Sequence, residues 1–138
     1  MDRLKSEIVC HVLVIQDGKV LLILRQNTKI EDNKYAFPAG HVEEGEGIVE
    51  AAVRELKEEV NLDVSAEDLE LAFTSRKRNG RAVHFFFLAR QWQGDERNNE
   101  PDKCGGLLWA DMNDLPDNAT SYVKLLRDYP DFKPLYEF

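Results

Sequence analysis

The sequence has almost no cysteine and few histidines. Its 138 residues include two cysteines, Cys10 and Cys104, and three histidines, His11, His41 and His84. Two distant cysteines cannot form the disulfide framework of a small secreted domain, and no Cys-x-x-Cys pair is present. The histidines lack the short spacings of common zinc ligand sets. We therefore predict neither a disulfide-stabilised domain nor a structural zinc site.

Long apolar segments and an excess of basic residues are also missing. No hydrophobic run approaches the ~20 residues that cross a bilayer, and residues 1–7 contain no apolar signal-peptide core. The net charge of −8 disfavours binding to long nucleic acid and to anionic membranes. These absences predict a cytoplasmic protein that binds neither membranes nor long nucleic acid.

The residues that are present predict one domain of mixed α/β type. A length of 138 residues, 43% of them hydrophobic, suffices for one core. The turn signals Asp17-Gly18 and Asn79-Gly80 each join two apolar runs into a hairpin, and the first runs are apolar enough to be covered on both faces. Residues 94–103 read as a charged loop. The predicted strands are 8–15, 20–24, 35–37, 69–75, 82–92 and 107–110.

Two helices are predicted between and after these strands. Residues 48–60 contain neither proline nor glycine, and their apolar residues recur at spacings of three and four. A second helix, capped by Asp117 or Asn118, is expected to end at Pro130. Its inward-facing residues are predicted to be Tyr122, Leu125, Leu126 and Tyr129.

Negative charge is concentrated around the first helix. Eleven acidic and two basic residues lie between Glu43 and Glu70. Glu55, Glu58 and Glu59 occupy positions i, i+3 and i+4, so they share one helix face, where their repulsion costs ~1 kcal/mol in total. A hard divalent cation such as Mg²⁺ would reverse that cost. The alternative is a solvated acidic face without metal, and the three residues alone favour this alternative.

The residues before and after these three glutamates make the metal-binding interpretation the stronger one. Gly40, Glu46 and the segment Arg54-Glu55-Leu56-Lys57-Glu58-Glu59-Val60-Asn61-Leu62 closely resemble the Nudix box, Gly-x5-Glu-x7-Arg-Glu-U-x-Glu-Glu-x-Gly-U, in which U is a bulky aliphatic residue. The one departure is Asn61 in place of glycine, just after the helix. Asparagine is the next residue after glycine to tolerate the left-handed conformation expected there. A match of this length is much more specific than a short motif.

The resemblance extends to the residues before the box. Phe37-Pro38-Ala39-Gly40 is similar to the Phe-Pro-Gly-Gly segment of MutT-like Nudix enzymes. The resemblance covers most of the chain and implies a single Nudix domain over residues 1–138, with the box at 40–62. It implies an α/β/α sandwich with a mixed β-sheet. It also implies hydrolysis of a nucleoside diphosphate linked to another group, with Mg²⁺ or Mn²⁺ as cofactor.

The family pattern implies a role for each matching residue. Arg54 would orient Glu55, and Glu46 would complete the ion-pair network that joins the loop to the helix. One of the box glutamates, or Glu100 from the later loop, would accept the proton of the attacking water. The implied metal ligands are the backbone carbonyl of Ala39 and the carboxylates of Glu55, Glu58 and Glu59.

Further segments narrow the implied substrate. Nudix subgroups that act on ADP-ribose usually carry Pro at positions that correspond to residues 77–80 here, and those that act on dinucleoside polyphosphates often carry Tyr there. Residues 77–80 contain neither. Residues 99–104, followed by Leu108-Trp109 and Leu115-Pro116, resemble the Glu-Pro-x-Lys-Cys…Trp…Leu-Pro stretch of small MutT-like nucleoside triphosphate diphosphatases. The expected substrate is a small nucleotide, an ordinary or oxidised NTP or dNTP such as 8-oxo-dGTP. The expected products are NMP and pyrophosphate.

Three residues are candidates for binding the nucleobase: Phe85, Phe87 and Asn118. A base would rest on aromatic groups while a few polar atoms read its edge. Core packing is the stronger expectation for the two phenylalanines, because at least one face of their strand must be buried. For Asn118 the stronger expectation is a helix cap, although MutT-like enzymes place a base-reading asparagine near this point.

Two other function classes are compatible with the sequence. One is a Nudix hydrolase for another diphosphate, such as a nucleotide sugar or an isoprenoid or pterin diphosphate. The other is a Nudix-fold sensor that binds nucleotides without cleaving them, which the intact Glu55, Glu58 and Glu59 argue against. Family members occur as monomers and as dimers, so the expected state is a monomer or homodimer.

Overall fold

A mixed β-sheet of eight strands forms the centre of the structure, a computed structural model that describes residues 1–138. Two α-helices and two 3₁₀ turns, Ala66–Asp68 and Leu125–Asp128, accompany the sheet. No helix has the length and apolar character needed to cross a membrane. In chain order the elements are β1 (Glu7–Gln16), β2 (Lys19–Arg25), β3 (Tyr35–Ala36), β4 (Ala39–His41), α1 (Ile48–Val60), β5 (Leu69–Arg76), β6 (Ala82–Ala89), β7 (Cys104–Asp111), α2 (Ser121–Lys124) and β8 (Leu135–Glu137).

Strand β1 organises the sheet because it pairs with three other strands. The strand order is β3-β2-β1-β6-β5-β8, and β1 runs parallel to β6 while its end pairs antiparallel with β2. Its residues Val9–His11 pair with β4, which leads into the glycine-containing loop before α1. Strand β7 pairs with β2, in a register that sets Cys104 opposite Arg25. This topology brings the ends of β2, β4 and β7 towards α1, and it confirms the predicted mixed sheet.

The two faces of the sheet bury separate apolar clusters, as predicted from the nearly continuous apolar strands. Cys10 and Val12 of β1 pack on the α1 side, whereas Leu13 packs on the side of α2 and the second 3₁₀ turn. Helix α1 contributes Leu56, which is fully buried. Burial of one such leucine typically contributes about 1.5–3 kcal/mol. Both cysteines are free and buried.

Helix α1 has the predicted bounds and ends as its sequence indicates. Asn61 follows the last helical residue in the left-handed conformation, with φ 65° and ψ 26°, and its N–H donates to the Lys57 carbonyl. This is the backbone state for which helices favour glycine at this position. The asparagine in place of the motif's glycine therefore keeps the expected backbone conformation.

The carboxyl-terminal third of the chain differs from the prediction. Helix α2 starts after Thr120, whose Oγ1 accepts a hydrogen bond from the Val123 N–H at 3.4 Å, so the cap is neither Asp117 nor Asn118. The helix is four residues long and continues as a 3₁₀ turn to Asp128. Tyr129 lies beyond this turn and is exposed rather than inward-facing.

Two short strands were not predicted. Strand β4, with three residues, was expected to be only a stop after β3, and β8 pairs in parallel with β5 near the end of the chain. Segments this short are below the length at which alternation identifies a strand. Strand β8 nevertheless buries Tyr136, whose hydroxyl donates to Asp128 Oδ2 at 2.7 Å.

A pair of histidines, the buried His11 and the partly buried His84, lies on the α2 side of the sheet. His11 Nε2 lies 2.9 Å from His84 Nδ1, and the His11 ring stacks on Phe86 with centroids 4.1 Å apart. Burial, and then the neighbouring His84 and Arg25, hold the pKa of His11 well below its usual range. Burial and the charges of Lys77 and His41 lower the pKa of His84 to about 4. Both imidazoles are therefore neutral in the folded protein near neutral pH.

This pair predicts a loss of stability in mild acid. Because folding lowers both pKa values, the unfolded chain takes up protons first as the pH falls below about 6.5, and the free energy of unfolding decreases down to about pH 4. We expect His11→Gln to reduce this pH dependence, measured by urea unfolding at several pH values. His41→Gln, which removes an exposed histidine, is the control and should change the slope less, because His41 is the smallest of the three causes that lower the pKa of His84. Equal slopes for all three proteins would contradict the prediction.

Candidate active site

The candidate site lies where α1 crosses the segment Ala39–Gly40. Glu59 Oε2 accepts a hydrogen bond from the Ala39 N–H at 3.3 Å. A Cβ atom at Gly40 would lie 2.1 Å from the carboxyl carbon of Glu55 and 2.2 Å from its Oε1. Only glycine therefore lets the Glu55 carboxylate rest against this backbone. The two carboxylates meet at one short stretch of main chain.

Arg54 joins the loop before α1 to the acidic face of the helix. Its Nε donates to Glu46 Oε2 at 2.7 Å, and its Nη1 donates to Glu55 Oε1 at 2.8 Å. Its Nη2 donates to Glu46 Oε1 at 2.9 Å and to the His41 carbonyl at 3.2 Å. The bidentate pair with Glu46 is the geometry in which arginine and carboxylate interact most strongly. The structure thus contains the contacts that the family resemblance implied for Arg54 and Glu46.

The environment shifts the pKa values of these acids in opposite directions. Burial, and then the charge of Glu55, raises the pKa of Glu59 well above its usual value. Burial also raises the pKa of Glu55, although Arg54 partly offsets the effect. Hydrogen bonds from Arg54 lower the pKa of Glu46 to about 2. Glu46 therefore stays charged as the partner of Arg54. Nearby positive charges do not fully compensate the carboxylates of Glu55 and Glu59.

Glu58 differs from the other two helix carboxylates. Its side chain is exposed, and its Oε2 accepts a hydrogen bond from Arg54 Nη1 at 3.2 Å. No three His, Cys, Asp or Glu side chains form a group arranged to hold a metal ion. The prediction that all three glutamates gather at one point therefore differs from the structure, in which two lie against Ala39–Gly40. Arg54 attracts the third carboxylate.

The donor set nevertheless fits a hard divalent cation. Glu59 is a partly buried acid that accepts one hydrogen bond from a main-chain N–H, and the negative charges of Glu55 and Glu100 lie near it. Clustered buried carboxylates are costly without a compensating cation. Oxygen ligands of this kind suit Mg²⁺ or Mn²⁺.

A cavity of about 330 Å³ opens beside Glu59. It is formed by the end of β2 with the following loop, by α1, and by the loop before β7. Its wall combines acidic and basic side chains. The charged residues of the wall are Arg25, Lys29, Glu59, Glu100 and Lys103.

Comparison with known proteins identifies the family. The family model of the NUDIX domain matches residues 5–129. The chain belongs to the Nudix family. It is 32% identical over 123 residues to the ADP-ribose pyrophosphatase of Methanocaldococcus jannaschii, covering 88% of this chain and 71% of that protein. It is 28% identical over 130 residues to the 8-oxo-dGTP diphosphatase of Escherichia coli, covering 89% and 98%.

A solved structure supports the same assignment. The MutT NUDIX hydrolase of Burkholderia pseudomallei aligns with a TM-score of 0.82 and 26% identity, over 91% of this chain and 98% of that one. The Nudix fold and the hydrolase relatives make this protein a Nudix pyrophosphohydrolase, as predicted.

The residues predicted to bind the base in this Nudix protein do not line the cavity beside Glu59. Phe87 is 5% exposed and packs in the core on the α1 side, and Phe85 is half-buried against the same cluster. Packing thus accounts for Phe87, because its strand position faces inward. Asn118 is exposed, and its Nδ2 donates to the Asn33 carbonyl at 3.0 Å.

Sequence reasoning missed the basic wall of the cavity. Arg25, Lys29 and Lys103 all line it, although more than seventy residues separate the first two from the third. No spacing rule relates these positions. The sequence indicated only that residues 26–34 and 94–103 form polar loops. That these loops meet depends on the register between β2 and β7.

We expect Gly40→Ala to reduce catalysis much more than stability. The new methyl group would displace the Glu55 carboxylate, which is the mobile end of its side chain and can move without unfolding the protein. Misplacement of a catalytic group by ~1 Å can cost ~100-fold in rate. Steady-state hydrolysis and thermal unfolding would measure the two effects.

Gly47→Ala is the matched control for this substitution. Gly47 has an ordinary backbone conformation, and the nearest atom to its added Cβ is the Glu50 carboxylate at 3.2 Å. We expect its activity to stay close to that of the original protein. Equal activity of the two variants would contradict the role given to Gly40.

Proposed function

We propose that this Nudix protein is a single-domain, Mg²⁺-dependent enzyme that hydrolyses an ordinary or oxidised NTP or dNTP to NMP and pyrophosphate. The observation that carries the proposal is the cavity in which Glu59 and Glu100 face Arg25, Lys29 and Lys103. Carboxylates suit the divalent cations that Nudix hydrolases generally use, and the basic side chains suit phosphate oxygens.

The box residues divide the work at this site. Glu55, Glu59 and the Ala39 carbonyl would hold the divalent ion, with Glu58, whose carboxylate contacts Arg54, as a further or partial ligand. When bound, that ion neutralises phosphate charge and lowers the pKa of a coordinated water. Arg54 holds Glu55 in place, and Glu46 fixes Arg54 to the loop.

Glu100 is the proposed proton acceptor for the attacking water. It lines the same cavity as Glu59 and comes from a different chain segment. Glu100 can therefore accept the proton while the Nudix-box carboxylates bind the metal. No residue then has to act both as base and as metal ligand. Positioned bases typically contribute 10²–10⁴-fold to a rate.

The basic wall favours a triphosphate over ADP-ribose. A nucleoside triphosphate ends in a free, highly charged phosphate, whereas each phosphate of ADP-ribose is esterified to a sugar. Three cationic side chains in one cavity match the larger negative charge. The named relatives include both an ADP-ribose pyrophosphatase and an 8-oxo-dGTP diphosphatase, so both substrates belong in the test.

A substrate panel tests the proposal directly. Ordinary and oxidised NTPs and dNTPs, ADP-ribose and nucleotide sugars would be supplied at equal low concentration with Mg²⁺, and pyrophosphate and phosphate would be measured. We expect pyrophosphate and NMP from one or two triphosphates. Preferential cleavage of ADP-ribose or a nucleotide sugar would instead support the alternative hydrolase class. Metal-dependent nucleotide binding without cleavage would support a sensor.

Glu59→Gln separates the metal-dependent enzyme from a structural acidic helix. We expect this variant to lose metal-dependent turnover and to be slightly more stable than the original protein without metal, because a neutral amide replaces a partly buried acid that lies near Glu55. Addition of Mg²⁺ should raise the melting temperature of the original protein and have less effect on the variant.

Glu50→Gln, on the first turn of α1, is the matched control for Glu59→Gln. It should keep both turnover and the response to Mg²⁺. Unchanged turnover in Glu59→Gln would remove Glu59 from the mechanism.

A further inference from the structure

The loop before β7 caps the carboxyl-terminal turn of α1. The last carbonyl groups of a helix have no partner within it. Here the Asn99 side-chain amide donates to the Lys57 carbonyl at 3.2 Å, and the Asn99 main-chain N–H donates to the Glu59 carbonyl at 3.1 Å. The Arg97 N–H donates to the Val60 carbonyl at 2.9 Å. One asparagine therefore contacts the helix twice, once at Glu59 itself.

The residue after Asn99 is Glu100, and its backbone is held on both sides. The Glu100 N–H donates to Asn98 Oδ1 at 3.1 Å, and the Glu100 carbonyl accepts from the N–H groups of Lys103 at 2.9 Å and Cys104 at 2.8 Å. Glu100 is therefore the chain neighbour of Asn99, the residue that is hydrogen-bonded to the Glu59 backbone. The distance between the Glu59 and Glu100 side chains therefore depends on the hydrogen bonds that Asn99 makes to α1.

Hydrogen bonds are the main attachment of this segment. Between Asn98 and Lys103 every side chain except the half-buried Asn98 is exposed, so apolar packing does not fix the loop. A second anchor comes from the loop after β2, where Gln26 Nε2 donates to the Pro101 carbonyl at 2.7 Å and Asn27 Nδ2 donates to the Asp102 carbonyl at 2.9 Å. Amide side chains on both sides thus hold the segment that carries Glu100.

We propose that Asn99 is a positioning residue that holds Glu100 beside Glu59 for hydrolysis. This inference rests on the proposed function, in which Glu100 accepts the proton of water. A proton acceptor must lie within hydrogen-bonding distance of the water, and a small displacement lowers the rate steeply. Loss of the Asn99 amide leaves its main-chain bond to Glu59 but frees the side of the loop next to Lys57.

The test is a double-mutant cycle of Asn99→Ala and Glu100→Gln, assayed on the preferred triphosphate with Mg²⁺. We expect Asn99→Ala alone to lower kcat roughly tenfold and to change KM less, because Arg25 and Lys29 lie outside this loop and the Lys103 carbonyl still accepts a hydrogen bond from the Gln26 N–H. In the Glu100→Gln background the same substitution should have almost no further effect on kcat. Asn99→Gln keeps an amide and should recover part of the rate.

Two further measurements separate positioning from general damage to the fold. Gln91→Ala removes an amide that donates to Asp68, outside the lining of the cavity beside Glu59, and should keep the original kcat. Hydrogen exchange should become faster at residues 98–103 in Asn99→Ala while α1 stays protected. This measurement requires no activity, so it examines the anchor even if the panel identifies no triphosphate substrate.

The possible outcomes are distinct. Equal fractional losses of kcat from Asn99→Ala in both backgrounds would overturn the inference, since Asn99 would then act on the fold and not through Glu100. Unchanged kcat or unchanged exchange in Asn99→Ala would overturn it as well. A normal rate for Glu100→Gln would overturn both this inference and the proposed role of Glu100, whereas absence of hydrolysis in the original protein would contradict the proposed function itself.

Discussion

The contact between Arg54 and its surrounding carboxylates is the one on which the site depends. Four acids, Glu43, Glu46, Glu55 and Glu58, lie within 3.9 Å of this guanidinium, in a segment that contains few other cations. Without Arg54, the half-buried carboxylates around it would be left without a compensating charge. The same side chain joins the loop to the helix, so the path of the loop and the direction of the acidic face are determined together.

Helix α1 connects this electrostatic network to the rest of the fold. One face contributes Leu56 and Val60 to the core. Glu55 and Glu59 lie beside this face, against Ala39–Gly40. Its first end is attached through the loop after β4, and its last carbonyls accept hydrogen bonds from the loop before β7. Because the sheet register sets Cys104 opposite Arg25, that second loop also meets the one after β2. The cavity lies between α1, the loop before β7, and the end of β2 with its following loop.

Long, strongly patterned segments could be predicted, and short ones could not. Helix α1 and the hairpin at Asp17-Gly18 follow from local signals, namely apolar spacing over four turns and a dipeptide that adopts positive φ at both positions. Strands β4 and β8 have three residues each, and only their partners β1 and β5 make them strands. The cap of α2 was misassigned to Asp117 or Asn118 because several residues in this stretch, including Thr120, can serve as caps.

The sequence by itself determined the family, the chemical types of the site residues and the bounds of α1, because these depend on spacing within one continuous segment. Only the tertiary structure decided which carboxylates lie against Ala39–Gly40. The position of β4 beside α1 and the hydrogen bond from Arg54 to Glu58 set the directions of these side chains. It also decided that Arg25, Lys103 and Glu100 share a cavity with Glu59. Such contacts depend on the register between strands far apart in the chain, which no local spacing encodes.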